Sequence, residues 1–139
     1  MKIRPACEAD SADIASLLEE LGYQASPAQV RDRLKTAEPL STLHLVAESG
    51  GSIVACLSAC LVPYFPDGST LCRITAMVVS SAYRRTGIGG ALVEAASKYA
   101  RQQGCSGLEV TSAERRIDAH RFYEGNGFFR TSSRFHRPL

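Results

Sequence analysis

Tryptophan is absent from the 139-residue chain, methionine occurs twice, and no apolar run is long. A helix that crosses a bilayer needs roughly 18 or more apolar residues, so we expect no membrane-spanning segment. The opening residues, MKIRPACEAD, contain no apolar stretch long enough for a secretory signal peptide. Internal repeats and low-complexity tracts are also missing. These absences predict one soluble domain over residues 1–139 that has no membrane partner.

Cysteine is present, but its pattern favours neither a disulfide framework nor a zinc site. The five positions are Cys7, Cys56, Cys60, Cys72 and Cys105, an odd number without a CxxC pair. Cys56 and Cys60 lie at even spacing inside an apolar run, which predicts small buried side chains on one side of a strand. We therefore expect no metal site and a reducing, cytoplasmic setting.

Lysine is scarce, with 3 residues against 13 arginines, and the basic residues are unevenly distributed. Residues 1–83 carry 6 Lys and Arg against 9 Asp and Glu, whereas residues 84–139 carry 10 against 5. Arginine binds phosphate and carboxylate groups through two parallel hydrogen bonds. The C-terminal part is therefore expected to hold an anion. Acidic residues lie among these arginines, so we expect no nucleic-acid partner.

Hydrophobic periodicity predicts the element order β-α-α-β-β-β-α-β-α-β. The strands are predicted over residues 2–6, 42–48, 52–62, 70–79, 108–112 and 128–136, and the helices over 11–21, 27–37, 87–103 and 118–124. Ser26 and Asp118 are the predicted N-caps of two helices, and Gly50-Gly51 is a predicted hairpin turn. Short turns between strands favour antiparallel pairing, while the strand–helix–strand unit over 70–112 favours one parallel crossover. The fold class is α+β, with a mixed, mostly antiparallel sheet flanked by helices.

A glycine-rich turn connects the predicted strand over 70–79 to the helix that follows it. Its sequence is Arg84-Arg85-Thr86-Gly87-Ile88-Gly89-Gly90. Backbone N–H groups at a helix N-terminus bind anions, and glycine lets the anion approach the backbone closely. The P-loop lysine is missing, and Leu92 stands where a dinucleotide fingerprint needs its third glycine. The turn therefore predicts a phosphate or pyrophosphate site of another type, and its alternative is a plain turn with solvated arginines.

A second motif covers residues 118–128, which read DAHRFYEGNGF. It predicts a short helix that stops at Gly-Asn-Gly, with Phe122 and Tyr123 near its end. Taken alone, these two aromatic residues are typical of an ordinary core.

Together the two motifs, Arg84-x-x-Gly87-x-Gly89 and Ala119-x-x-Phe122-Tyr123-x-x-x-Gly127-Phe128, resemble the GNAT superfamily of acetyl-CoA-dependent N-acetyltransferases. The resemblance covers essentially the whole chain, and the predicted element order matches a GNAT-like acyl-CoA N-acyltransferase fold. The C-terminal part is most similar to the aminoalkylphosphonate N-acetyltransferases, through the segment RIDAHRFY and the later pair Arg-Phe.

The resemblance implies a role for specific residues. Binding of acetyl-CoA, the co-substrate, is assigned to Met77, Val78, Val79, Arg84, Arg85, Thr86, Gly87, Ile88, Gly89 and Gly90. The first three would pair with the pantetheine arm, a backbone N–H of Met77 or Val78 would polarise the thioester carbonyl, and the others would bind the pyrophosphate. Tyr123 would protonate the leaving thiolate. A phenol supports this role independently, because its pKa of about 10 keeps it protonated near neutral pH.

One position departs from the resemblance. Many relatives carry a glutamate where this chain has Ala76, and no carboxylate lies between Leu71 and Glu94. Glu109 and His120 are therefore the candidate bases that would deprotonate the acceptor. We expect direct transfer to the primary amine of a small molecule in a ternary complex. The alternatives are a protein or peptide amine as acceptor, or a non-catalytic acyl-CoA-binding regulatory domain. A homodimer is expected from a strand edge near residues 128–136.

Overall fold

The computed structural model describes residues 1–112 and 116–139, which form five strands and four α-helices. In chain order these are β1 (Lys2–Pro5), α1 (Ser11–Leu21), α2 (Pro27–Thr36), β2 (Thr42–Ser49), β3 (Ser52–Tyr64), β4 (Ser69–Val79), α3 (Ile88–Gln102), β5 (Gly107–Val110) and α4 (Ile117–Gly125). Single turns of 3-10 helix precede α1 and follow β4. Within the described residues, no helix is both long and apolar enough to cross a bilayer.

The five strands form one sheet in the order β1-β2-β3-β4-β5. The first four strands are antiparallel neighbours, and β4 and β5 are parallel, joined by α3. Gly50 and Gly51 form the two-residue turn between β2 and β3, with φ of 58° and 80°. Positive φ at both positions matches the twist of the flanking strands and is the reason for two glycines. The predicted mixed sheet with one parallel crossover is confirmed.

Each face of the sheet is covered by different helices. On one face, the apolar stripe of α3 packs Leu92 and Ala96 against Leu57 and Ile74, all at most 2% exposed. The opposite face is covered by α1 and α2, in a second cluster that contains Ile14, Leu17, Val30, Val46, Cys56 and Val78. Cys56 is buried there as predicted, whereas Cys60 is half-buried, and all five cysteines are free thiols.

The helix boundaries confirm one predicted cap and correct another. Ser26 Oγ accepts from the Gln29 N–H at 3.1 Å, and Gln29 Oε1 accepts from the Ser26 N–H at 3.0 Å, a reciprocal capping box before α2. The prediction of Asp118 as the N-cap of α4 is wrong. The helix begins one residue earlier, with Arg116 at the cap position. Asp118 lies in the first turn instead, where its charge still complements the helix dipole.

The predicted last strand over 128–136 is also wrong, because the described residues after α4 form no strand. Side chains, rather than a backbone ladder, tether this segment. Arg130 Nη2 donates to His120 Nδ1 at 3.1 Å, and Arg134 Nη1 donates to Thr111 Oγ1 at 2.9 Å. Phe129 and Phe135 are 80% and 94% exposed. Residue types that favour an extended chain are therefore not sufficient to form a strand, because a strand also needs a sheet edge with which to pair.

Candidate active site

Strands β4 and β5 separate partway along their length. Their pairing runs from Leu71 opposite Gly107 to Ile74 opposite Val110. Beyond that point β4 continues to Val79, still paired with β3 as far as Ala55. Within the part of the chain that the structure describes, residues 75–79 therefore have a strand neighbour on one side only. Their other edge offers backbone N–H and C=O groups to an extended ligand, except the Val79 carbonyl, which accepts from Arg84 Nε.

A β-bulge lies where the two strands separate. Ser58 of β3 is opposite Ala76 and the next residue, Ala59, is opposite Ile74, so Thr75 is the extra residue in β4. Thr75 Oγ1 donates to the Ser58 carbonyl at 3.3 Å. A bulge bends its strand and increases the local twist. The bulge directly follows Ile74, the last residue of β4 that pairs with β5, and we call the gap between the two strands the wedge.

The loop after β4 presents backbone N–H groups from Arg85 to Gly90. Arg85 has a φ of 61° and Gly87 a φ of 87°, so two closely spaced residues adopt the left-handed conformation. Thr86 Oγ1 donates to the carbonyl of Tyr83, which closes the loop on itself. Gly87 is the N-cap of α3 and supplies no side-chain hydrogen bond. The first amides of α3 are thus left for a ligand, with the helix dipole behind them.

The two arginines of the loop differ in their anchoring. Arg84 Nε donates to the carbonyl of Val79 at 3.3 Å, so its guanidinium lies across the end of β4. Arg85 is exposed beside it. No acidic residue occurs in the sequence between Asp67 and Glu94, so nothing nearby along the chain neutralises them. Both charges favour an anionic group at the start of α3.

Helix α4 packs closely on the first turn of α3. A Cβ built on Gly89 would lie 2.8 Å from Cε1 of Phe122, nearer than real side chains approach one another. A Cβ on Gly90 would lie 3.2 Å from Asn126 Oδ1, and Asn126 Nδ2 donates to the Phe122 carbonyl at 2.8 Å. These glycines therefore serve helix packing, a role that the motif alone did not predict.

This packing places Tyr123 at the end of α4 between two aromatic rings. Its ring makes edge contacts with Phe122 and Phe128, at centroid distances of 5.4 and 5.5 Å. Burial raises the pKa of the Tyr123 hydroxyl, and the nearby charge of Arg116 opposes that rise. The phenol is thus held protonated in a half-buried position, as a proton donor requires.

The described part of the chain brings most of the predicted cofactor residues together. Met77, Val78 and Val79 form the wedge edge of β4, and Arg84 to Gly90 form the adjoining loop and the first turn of α3. Met77 and Val79 direct their side chains to the α3 face, whereas Val78 is buried against α1. Among the described residues, no group of three His, Cys, Asp or Glu side chains is placed to hold a metal.

The two predicted bases are both engaged by arginines. Glu109 Oε1 accepts from Arg73 Nε at 2.6 Å, directly across the β4–β5 ladder. His120 Nδ1 accepts from Arg130. A third pair, His44 and Ser58, was not identified from the sequence. It lies on the α1 and α2 face, with 2.9 Å between Nδ1 and Oγ. A register counted from the Gly50-Gly51 turn would have placed His44 opposite Leu57, because an irregularity between Ala47 and Glu48 shifts the pairing by one residue.

Comparisons with known proteins agree with this geometry. The sequence model of the acetyltransferase (GNAT) family matches residues 12–128. N-acetyltransferase family 8 member 2 of Rattus norvegicus is 34% identical over 90 residues, which are 65% of this chain and 40% of that relative. The chain thus spans well under half of that relative's length.

Solved structures match over nearly the whole chain. The aminoglycoside 6'-N-acetyltransferase of Acinetobacter haemolyticus superposes with a TM-score of 0.86 at 25% identity, covering 100% of this chain and 98% of that one. A protein of Bacillus halodurans described as a transcriptional regulator superposes with a TM-score of 0.87 at 28% identity, covering 99% of each chain. The wedge, the loop and these matches together lead to one conclusion: the chain belongs to the GNAT family of acetyltransferases.

Proposed function

We propose that this acetyltransferase moves the acetyl group of acetyl-CoA to the primary amine of a small molecule, by direct attack within a ternary complex. The observation that carries the proposal is the end of the β4–β5 ladder at Ile74 and Val110. Five residues of β4 beyond it offer an unpaired backbone edge that leads directly to the loop at the start of α3. An extended amide-containing arm that ends in a pyrophosphate fits this combination of groups.

Acetyl-CoA would supply an activated acyl group and a thiolate that leaves. The backbone of residues 77–79 would bind the pantetheine arm. Of the two expected donors to the thioester carbonyl oxygen, Met77 and Val78, the N–H of Met77 would serve, because Ser80 donates to Val54 and the alternation of the ladder then turns the Val78 N–H towards Cys56 of β3. The loop amides from Arg85 to Gly90, together with the Arg84 guanidinium, would bind the pyrophosphate. Tyr123 would then protonate the thiolate, since burial keeps its hydroxyl protonated.

The acceptor would bind on the α1 and α2 face, beside the wedge. Glu20 Oε1 accepts from the Ser81 N–H at 3.1 Å, which holds the C-terminal end of α1 next to the end of β4. An open depression of about 420 Å³ lies on α1, α2 and the turn between them, lined by Glu19, Gln24, Ala25, Ser26 and Gln29. Its polar lining and the Glu19 carboxylate suit a cationic small molecule. The similar aminoglycoside acetyltransferase supports a polyamine-like acceptor of this kind.

The test is an acetylation screen that measures CoA release from acetyl-CoA. The panel contains aminoglycosides, polyamines, small alkylamines, aminoalkylphosphonates and peptide N-termini. We expect turnover with at least one small-molecule amine and mass-spectrometric detection of its acetylated product. Turnover restricted to peptides would reject the small-molecule acceptor and favour the protein or peptide alternative. Activity on aminoalkylphosphonates alone would support the finer subfamily prediction.

A non-catalytic acyl-CoA-binding regulatory domain is the second candidate. The similarity to the Bacillus halodurans protein favours it, because that protein is described as a transcriptional regulator. The absence of a carboxylate at Ala76 favours it too. Tight acetyl-CoA binding by calorimetry without CoA release on any amine of the panel would establish this candidate.

The proposed setting is a homodimer in the cytoplasm. Five free thiols support a reducing compartment. Among the described residues, β5 has β4 as its only strand neighbour, and the exposed Phe129 and Phe135 lie in the segment after α4. A second copy would cover such an edge and such side chains. Light scattering coupled to size-exclusion chromatography would measure the mass, and a monomer would reject the dimer.

A further inference from the structure

An alkylamine acceptor must lose a proton before it attacks a thioester. Its pKa is close to that of a lysine side chain, about 10.4, so nearly all of it is protonated at neutral pH. The two bases predicted from the sequence are poorly suited to this task. Glu109 is held by Arg73 at 2.6 Å, and Arg130 donates to the ring nitrogen of His120.

A different proton acceptor lies on the sheet face where the acceptor is proposed to bind. His44 of β2 stands opposite Ser58 of β3, and Ser58 stands opposite Ala76 of β4. The three side chains therefore form a row that crosses the sheet towards the wedge. Directly opposite residues have Cβ atoms about 5 Å apart, so the Ser58 hydroxyl lies next to the Ala76 methyl. An amine above that methyl lies within one water molecule of Ser58 Oγ.

The pair of His44 and Ser58 is connected. Nδ1 of His44 lies 2.9 Å from Oγ of Ser58. With the ring proton on Nε2, Nδ1 accepts a hydrogen bond from the hydroxyl. Both residues line a cavity of about 80 Å³ between the sheet and helices α1 and α2. The cavity gives the imidazole room beside an otherwise apolar lining.

The surroundings of His44 keep its ring neutral. The charged or titratable side chains that line the same cavity are Arg33 from α2 and Cys56 from β3; α1 contributes Ile14 and Leu18, and the segment after β1 contributes Ala6. Burial raises the pKa of the Cys56 thiol to about 12, so this neighbour carries no charge. Burial also lowers the pKa of His44. A neutral imidazole has a free ring nitrogen that can accept a proton, and because burial disfavours the imidazolium, that proton passes on to solvent.

We propose that His44 takes up the proton of the acceptor amine through the hydroxyl of Ser58, in place of a carboxylate at residue 76. The ammonium gives one proton to the Ser58 hydroxyl, directly or through one water, as that hydroxyl gives its own proton to His44 Nδ1. The amine becomes neutral, the imidazole becomes imidazolium and the hydroxyl is restored. The imidazolium then returns its proton to solvent. This inference rests on the proposed N-acetyltransferase function.

The test compares kcat and kcat/KM of the wild type, His44→Gln and Ser58→Ala from pH 6 to pH 10. The substrate is the alkylamine that the wild type acetylates best. We expect His44→Gln to lower kcat about 100-fold at pH 7, the usual contribution of a positioned base. The deficit should shrink towards pH 10, where the amine loses its proton unaided. Ser58→Ala should show the same pH-dependent loss of kcat. If His44→Gln does not fold, the pH profile of Ser58→Ala alone tests the inference.

The matched control is His136→Gln, the same substitution at an exposed position in the C-terminal segment. It should keep wild-type kinetics, and acetyl-CoA affinity by calorimetry should be unchanged in His44→Gln. An unaltered pH profile in both test variants would overturn the inference and leave the proposed function standing. A loss of kcat that is equal at every pH would overturn it as well. Such a loss indicates a packing defect, whose effect does not depend on the protonation of the amine. A wild type that acetylates no amine would reject the proposed function and this inference together.

Discussion

The ring of Phe122 occupies the space that a side chain at Gly89 would need. Cε1 and Cζ of Phe122 would lie 2.8 and 2.9 Å from a Cβ at that position. Because Tyr123 follows Phe122 directly, the contact sets where the end of α4, and with it the phenol, stands relative to the first turn of α3. The loop that would bind pyrophosphate and the residue that would protonate the thiolate are thereby joined through one glycine.

The first prediction concerns this contact. Gly89→Ala should lower the free energy of unfolding by about 1–3 kcal/mol, the usual cost of overpacking, although alanine is the better helix former. Phe122→Leu removes ring atoms at the contact, so the double variant Gly89→Ala/Phe122→Leu should be more stable than the two single effects add up to. Urea denaturation measures each free energy.

Gly125→Ala is the matched control for that series. Gly125 is also helical, and a Cβ there would meet nothing within 4 Å. The free energy of unfolding of Gly125→Ala should equal or exceed that of the wild type. Strictly additive effects of Gly89→Ala and Phe122→Leu would show that the two residues do not press on each other.

The second prediction concerns Tyr123 as a proton donor. Tyr123→Phe keeps the edge contacts with Phe122 and Phe128 and removes only the hydroxyl. We expect kcat to fall about 100-fold while acetyl-CoA affinity changes little, since the proton is needed only as charge develops on sulfur. Steady-state kinetics and calorimetry measure the two quantities.

Tyr99→Phe serves as the comparison for that variant, because Tyr99 is another partly buried tyrosine, packed on the core side of α3. It should keep the wild-type kcat. A Tyr123→Phe enzyme with wild-type kcat at saturation would remove Tyr123 from the mechanism.

The third prediction is an acid-dependent loss of stability. The Asp10 carboxylate accepts from Arg4 at 2.8 and 2.9 Å and from the Cys7 N–H at 2.8 Å. Arg4 is the main reason that the pKa of Asp10 falls from 3.8 to about 2. A lowered pKa contributes stability above the ordinary value and loses it as pH falls through the lowered one. Asp10→Asn should therefore cost roughly 2 kcal/mol at pH 7 and much less near pH 2.

Urea denaturation between pH 2 and pH 7 measures this difference. Asp32→Asn, at an exposed position on α2, should follow the wild-type curve. A difference between Asp10→Asn and the wild type that stayed constant over the whole range would contradict the assignment to Asp10.

The fourth prediction concerns thiol reactivity. Burial raises the pKa of Cys56 to about 12 and is the main cause of the rise to about 11 at Cys72, so neither forms an appreciable thiolate at neutral pH. Cys7 is exposed. An aromatic disulfide reagent should label Cys7 first and reach Cys56 and Cys72 only on unfolding. Cys7→Ser should abolish the fast phase, and a fast phase that persists at full amplitude would contradict the burial pattern.

Local patterns in the sequence predicted the elements that depend on local chemistry. The N-cap at Ser26, the Gly50-Gly51 turn and the helix that became α3 follow from neighbours within a few residues, and the structure confirms them. The strand expected over 128–136 does not form, because strand pairing depends on a sheet edge that is distant in the sequence. The predicted cap of α4, Asp118, lies two residues after the observed one, because Arg116 has no side-chain oxygen that marks a helix start.

The candidate site shows the same division. The loop from Arg84 to Gly90 and the position of Tyr123 were readable as motifs. The contact of Gly89 with Phe122, and the row of His44 and Ser58, depend on packing and register between separate elements. Neither feature can be recognised from a local sequence motif, because the polar or small residues involved are common in their own segments.

Thr75 gives β4 one residue more than its hydrophobic pattern requires. Cys72 and Ile74 face α3 before the bulge, and Met77 and Val79 face α3 after it. A strand that skipped Thr75 would keep strict alternation and bury the same side chains. The alternation of buried side chains therefore does not depend on Thr75, whereas the edge proposed to bind acetyl-CoA begins at this residue. Deletion of Thr75 is expected to change the packing of the core little and, under the proposed mechanism, to abolish acetyl transfer.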